Sequence, residues 1–276
     1  MQTKDWASFP HDNSAFDFKG KKLSLAWLDL HRGDREPYPD QERVLHLEPE
    51  HEDPDSAAAT LADAWRAYHR GDFASAVEQA LTLGNLGHAV ANKASGIYAD
   101  YLEENEARKV EIYSAGIRRA EAAIKAYPDD ANAHYFHAFL LGRYSQSISV
   151  AQALAQGVGG KIKASLEKAL ALAPEHAEAQ TAMGLYHAEI IDKVGKLVGS
   201  MTYGASADKA MKHFEKALVL TPDAPIAQLE YGNGLYLLYG DKRLDESNAA
   251  YAKAAAAKPS DAMQRLDVEY AKASME

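Results

Sequence analysis

The apolar and polar positions of this chain spell one phrase several times over. From Lys161 to Tyr186 the sequence reads as a helix closed by Ala169, Leu170 and Leu172, a corner at Pro174, and a second helix that packs through Ala177, Ala179 and Gly184. Proline donates no backbone N–H and its ring clashes inside a helix, so Pro174 ends the first element. The phrase recurs from Ala120, Phe214 and Tyr251, closed by Pro128, Pro222 and Pro259. Helical periodicity predicts pairs over 57–70 with 73–83, 86–103 with 107–126, 131–143 with 161–171, 177–194 with 207–220, and 225–239 with 245–257. A last helix over 262–273, carrying Asp267, Glu269 and Lys272, is expected to cap the array with its outer face in water.

The first 55 residues read differently, and the expected division is an arm, a degenerate half-repeat and a Pro-rich linker over 1–55, followed by a repeat domain over 56–276. Residues 1–18 alternate polar and aromatic positions, with Trp6, Phe9, Phe16 and Phe18, and are expected to lie on the body as an arm. Leu23, Ala26, Trp27 and Leu30 predict a helix over 19–32. It ends in AWLDLHRGD, and AWRAYHRGD returns 38 residues later, placing Trp65 and Gly71 opposite Trp27 and Gly33. Between them, an acidic stretch holding Pro37, Pro39, Pro49 and Pro54 predicts an extended linker, with one helical turn over 42–47 and a solvated charge run over 48–55. Asp55 or Ser56 is the expected cap of the next helix.

Small residues sit where neighbouring helices must touch. Ala64, Gly96, Ala138, Gly184 and Gly232 occupy one position late in the first helix of each pair, and Ala123, Ala169, Ala217 and Ala254 one late in the second. On these positions and the closing prolines the chain resembles the tetratricopeptide repeat family, whose unit is two antiparallel helices of about 34 residues. The resemblance covers roughly residues 57–260. It implies an all-α, right-handed superhelix of about five helix hairpins with a C-terminal capping helix. It says little about function, because this fold hosts many partners.

The departures from that unit carry more. The closing prolines are spaced 46, 48 and 37 residues apart, and two excesses fall inside hairpins, at 142–160 and 189–206. Both insertions are apolar and rich in small residues, whereas a surface loop is ordinarily polar. They are expected to fold back as short helices and cover something. With these insertions, the Gly159–Gly160–Lys161 step and the TYGAS segment from Thr202, the chain is similar to the T-component of tripartite solute transporters and to the eukaryotic regulators of microtubule dynamics.

Composition narrows the function classes. A formal charge of −10 leaves no basic face for phosphate neutralisation, so nucleic acid is not an expected partner. The absence of cysteine removes disulfides, thiolate zinc sites and a cysteine nucleophile. No apolar run reaches the ~18 residues of a membrane span, and the N-terminal residues do not read as a signal peptide, so a cytoplasmic location is expected. No metal is expected: His134 and His137, followed by His176, Glu178 and His187 on the next helix, lack a third ligand at a usable spacing, and His134 and His137 fall on packing positions. GVGGKIKAS departs from a phosphate loop, with Ile162 after the lysine where serine or threonine belongs. The two Arg-Gly-Asp tripeptides read as turn chemistry, glycine for a left-handed residue and aspartate as a cap.

No cofactor and no catalytic constellation is visible, so the expected function is non-catalytic binding of a protein or peptide on the concave wall lined by the first helices. The candidate groove residues are Trp65, Tyr68, Lys93, Tyr101, Tyr135, Phe139, Arg143, Glu189, Asn233 and Tyr236. The competing expectation is a carrier of an apolar or lipid-like small molecule, with the insertions closing the groove. A plain core, the groove filled by the insertions, is open as well. Arg143 and Glu189, at matching positions before each insertion, are expected to meet as an ion pair.

Overall fold

A computed structural model of the chain describes residues 3–275 and, among them, holds helices and no strand. Two short helices come first, α1 (Lys22–Leu30) and α2 (Gln41–Leu47). The hairpins follow: α3 (Pro54–Arg70) with α4 (Phe73–Leu81), then α5 (His88–Tyr101) with α6 (Glu106–Ala126). After α7 (Ala131–Gln146) a short α8 (Val150–Ala155) leads into α9 (Val158–Leu172). After α10 (Ala177–Val194) come a single turn, α11 (Lys196–Val198), a π-turn over Gly199–Tyr203, and α12 (Ala207–Leu220). The array ends with α13 (Pro225–Tyr239), α14 (Leu244–Ala256) and α15 (Ala262–Ala273). Each helix packs chiefly on its sequence neighbours, as in a repeat array.

Local chemistry explains the boundaries. Asp72, Asn105, Asp130, Ser206 and Asp261 each accept a backbone N–H of the helix they precede, a contact contributing about 1 kcal/mol. The start of α3 differs from expectation. Asp53, not Asp55 or Ser56, is the cap, because Pro54 suits the first helical position, where its missing N–H costs nothing. Each insertion folds back as expected, and the first is partly absorbed by lengthening α7 and starting α9 early, so that Gly159, Gly160 and Lys161 form the first turn of α9.

Close helix contact rests on glycine. The Phe214 ring of α12 is wedged between Gly184 of α10 and Gly234 of α13, and a Cβ on either would sit 2.8 or 2.3 Å from it. At the other end the Phe9 ring of the arm lies against Gly71, whose φ of 88° closes α3 in the left-handed region.

The ends of the chain depart most from a simple rod. Phe16, Leu23, Trp27 and Val44 join the same apolar core as α3 to α5, with Trp27 edge-on to Trp65 and Trp6 stacked on Tyr98. α15 packs on α3 as well as on α13 and α14, and the Tyr68 hydroxyl donates to Met263 Sδ at 3.0 Å. Its expected water-facing charge at Asp267 is therefore fully buried, while Lys272 stays exposed. The Arg-Gly-Asp reading holds at 70–72 and fails at 32–34. There Gly33 lacks a positive φ, and Asp34 is buried rather than capping a helix.

Gly234→Ala is expected to destabilise the protein by about 1–3 kcal/mol in urea denaturation, because the Phe214 ring has nowhere to move. Gly142→Ala, in α7 with nothing within 4 Å of its new methyl, is expected to be neutral or to stabilise by up to ~1 kcal/mol.

Candidate functional site

The first helices α5, α7 and α10 line a concave wall, and both insertions fold across it. Between them lies a groove with about 150 Å³ of free volume. Its walls are apolar: Ile97 of α5, Phe136 and Phe139 of α7, Ala182, Leu185 and Ile190 of α10, with Val150, Leu154, Val158, Ile162 and Tyr203 from the insertions and α9. Ile226 of α13 and Met263 of α15 close the far end. The expectation of a wall built from first helices with insertions over it corresponds to this geometry.

Six of the ten expected groove residues are brought together here: Lys93, Tyr101, Tyr135, Phe139, Arg143 and Glu189. The other four lie elsewhere. Trp65 is buried under α1, in contact with Trp27. Tyr68 faces a second, more polar cavity of about 210 Å³ that shares Lys93, Glu178, Thr181, Ile226 and Met263 with the groove. Asn233 and Tyr236 are exposed on α13, where Asn233 Oδ1 accepts from the Tyr251 hydroxyl. On that helix Ile226 and Glu230, earlier on α13, are the residues that reach the groove.

The groove floor is ionic. Lys93 Nζ donates to Asp34 at 2.6 Å and to Glu178 at 2.9 Å, and Glu178 Oε2 accepts from the Tyr135 hydroxyl at 2.9 Å. The chain of contacts runs on through the body: Asp34 to His31 at 2.9 Å, His31 to His69 at 3.2 Å, and His69 to Asp261 at 2.9 Å. Seven side chains thus link the cap of α15 to the groove. Burial alone would lower the Lys93 pKa, but its two carboxylates outweigh burial and hold it above the usual lysine value. Asp34 is held well below the carboxylate range, burial being overcome by His31 and Lys93. Burial raises Glu178 by more than Lys93 lowers it. The backbone joins in, since Gly33 carbonyl accepts the Glu178 N–H at 3.0 Å and a Cβ on Gly33 would strike the Glu178 carboxylate.

Arg143 makes a second ionic group, 3.3 Å from Asp100 and 3.0 Å from Glu230. The expected Arg143–Glu189 ion pair is not formed. Arg143 turns inward to carboxylates on α5 and α13, and Gln146 bridges it to Glu189, with contacts of 3.3 and 2.6 Å. Glu189 itself pairs with Lys193 at 3.4 Å. Behind Tyr101, the buried Asp267 accepts the tyrosine hydroxyl at 2.5 Å, and burial pushes its pKa well up.

Reading the sequence for site residues missed Asp34, Asp100, Glu178, Glu230 and Asp267. A signal existed for some of them: Glu230 is the one charged residue in α13, and Lys93 and Asp100 are the only charged side chains in α5 apart from its histidine. An isolated charge in an otherwise apolar helix must find a buried partner. The histidines are structural here. His134 contacts the Pro128 carbonyl, His137 contacts Ser165, and His176 caps α10 while contacting Asn132. Among the described residues no group of three or more His, Asp or Glu side chains has metal-holding geometry.

Lys93→Met strands two carboxylates and is expected to lower unfolding stability by roughly 3–5 kcal/mol, read by tryptophan fluorescence in urea. A loss under about 1 kcal/mol would mean that the pair does not hold the first residues to the array. Burial keeps the His176 imidazole neutral down to about 4, below its unfolded value. The unfolded chain therefore takes up the proton first, and this term drains stability as pH falls from about 6.5 towards 4. His176→Asn keeps a capping side chain and removes that proton. Its stability loss between pH 7 and pH 4.5 is expected to be smaller than wild type's by up to about 3 kcal/mol.

Compared with known proteins, residues 87–251 match the family described as regulator of microtubule dynamics protein 1-3. No curated protein matches the chain. The matched stretch contains α5 to α13, both insertions and most of the groove, while Asp34, His69, Asp261 and Met263 lie outside it. The match spans more than half of the sequence and covers the hairpins that build the site, so the chain belongs to the regulator of microtubule dynamics protein 1-3 family.

Proposed function

We propose that this chain is a non-catalytic binding protein that holds an apolar guest in the groove between α5, α7, α10 and the two insertions. The observation that carries the reading is that both insertions fold over the inner wall and leave an apolar space under them. Tightly packed cores keep few voids larger than a water molecule, so this space is not ordinary packing. A free volume of about 150 Å³ is enough to hold a benzene-sized group against the apolar walls. It is far too narrow for a partner helix, which is about 10 Å across. What enters the groove is therefore an alkyl chain or a small apolar group. The charged residues around it are engaged with one another, which suits binding better than catalysis.

A protein partner is the second reading, favoured by the family's description as a regulator of microtubule dynamics and by the groove's mouth. The insertions that roof the groove also leave Val150, Leu154, Leu197, Val198 and Met201 exposed. Such a rim would seat a segment that drops one or two apolar side chains inside. Both readings place the guest in the same groove and differ in what it is attached to.

The neutral dye Nile red tests this reading, with decanol as competitor. The expected result is saturable uptake near one dye per chain, displaced by decanol, and weakened at least about tenfold by Ala182→Phe, which fills the groove. No saturable uptake, or uptake unchanged in Ala182→Phe, would contradict it.

A further inference from the structure

We propose that the guest of this groove carries a cationic group, an ammonium or guanidinium, beside its apolar body. This rests on the groove being a binding site, and it adds the charge of what binds there. Two ionic groups of the same design stand at the floor, each a cation between two carboxylates, with Lys93, Glu178, Arg143 and Glu230 lining the groove and Asp34 and Asp100 behind them. Lys93 lies between Asp34 and Glu178, and Arg143 between Asp100 and Glu230. Each group has one carboxylate more than its cation neutralises. The rim pair of Lys193 and Glu189 is balanced and changes nothing. An anionic guest would find both inner cations already claimed twice and would bring a further negative charge into a half-buried site. A cationic guest would find carboxylate oxygens with spare lone pairs at Glu178 and Glu230, with the charge of Asp34 and Asp100 behind them.

Two further observations point the same way. Oxygens beside the groove lack hydrogen-bond partners among the described residues: the Tyr186 hydroxyl, on the groove wall, and Asp267 Oδ2, behind the groove-lining Tyr101. In each ionic group one carboxyl is also pushed towards its protonated form, Glu178 and Asp100, by burial first and by the second carboxylate of its group next, against the pull of the shared cation. That is how surplus buried carboxylates behave when no external cation sits beside them.

The test compares guests that differ only in the head group: decylammonium, decanoate and decanol, by calorimetry at low salt on the full chain. Decylammonium is expected to bind at least about tenfold tighter than decanoate, with decanol between. Glu230→Gln is expected to shrink that ratio to about threefold or less, with Glu178→Gln as the second variant should the first fold poorly. A leucine-rich tetrapeptide carrying one lysine, against its norleucine twin, separates the sources of the cation. Preference for the lysine peptide without binding of decylammonium assigns the cation to a partner protein's side chain. Decanoate binding as tightly as decylammonium overturns the proposal while leaving the groove reading intact. If none of the probes binds, decanol included, the groove reading falls and this proposal falls with it.

Discussion

A lysine ammonium withdrawn from water has to be met by carboxylates, and the position of Lys93 in α5 imposes that requirement on the whole molecule. One partner, Asp34, comes from the segment after α1; the other, Glu178, comes from the first turn of α10. The two are far apart in sequence, so meeting both fixes how the first residues lie on the hairpin array. Through His31, His69 and Asp261 the same contacts reach the start of α15, tying the last helix to α3. Removing a partner from such a pair costs much more than the pair contributes, because the charge left behind stays buried. The network is thus a strong reason for one arrangement and a weak source of net stability.

The consequence for function is that the groove has a fixed polar floor beneath apolar walls. Phe139, Leu185 and Ile190 supply surface that gains from covering, while the ions below cannot rearrange cheaply. The insertions at 142–160 and 189–206 bury Val158 and Ala205 but leave Val150, Leu154, Leu197, Val198 and Met201 exposed. On the proposed reading, a rigid floor and a lightly held roof would let a guest enter without disturbing the array.

Much of the fold was legible in the sequence, because hairpin repeats are local. Pro128, Pro174 and Pro222 follow closely on the ends of α6, α9 and α12, and the small residues at Gly184 and Gly232 mark real helix contacts. The insertions announced themselves as apolar segments where a loop should be polar. The candidate site was legible along α5, α7 and α10, and failed at both ends. Asn233 and Tyr236 follow from extending the repeat frame to α13, but the packing of that helix brings Ile226 and Glu230 inward instead. Asp34 was hidden because an Arg-Gly-Asp turn looks the same whether its aspartate caps a helix or pairs with a lysine from a distant element. The contact of α15 with α3 was equally invisible, since closure of the array depends on its accumulated curvature and not on any local motif.

The central claim is that the two insertions and the inner wall form one site for an apolar guest. Hydrogen–deuterium exchange with and without saturating decanol tests it most directly. The account predicts slowed exchange in 142–160 and 189–206 together, along with the middle of α7 and α10, and little change in α14. Protection confined to one insertion, or found on the outer helices while both insertions exchange as before, would contradict it.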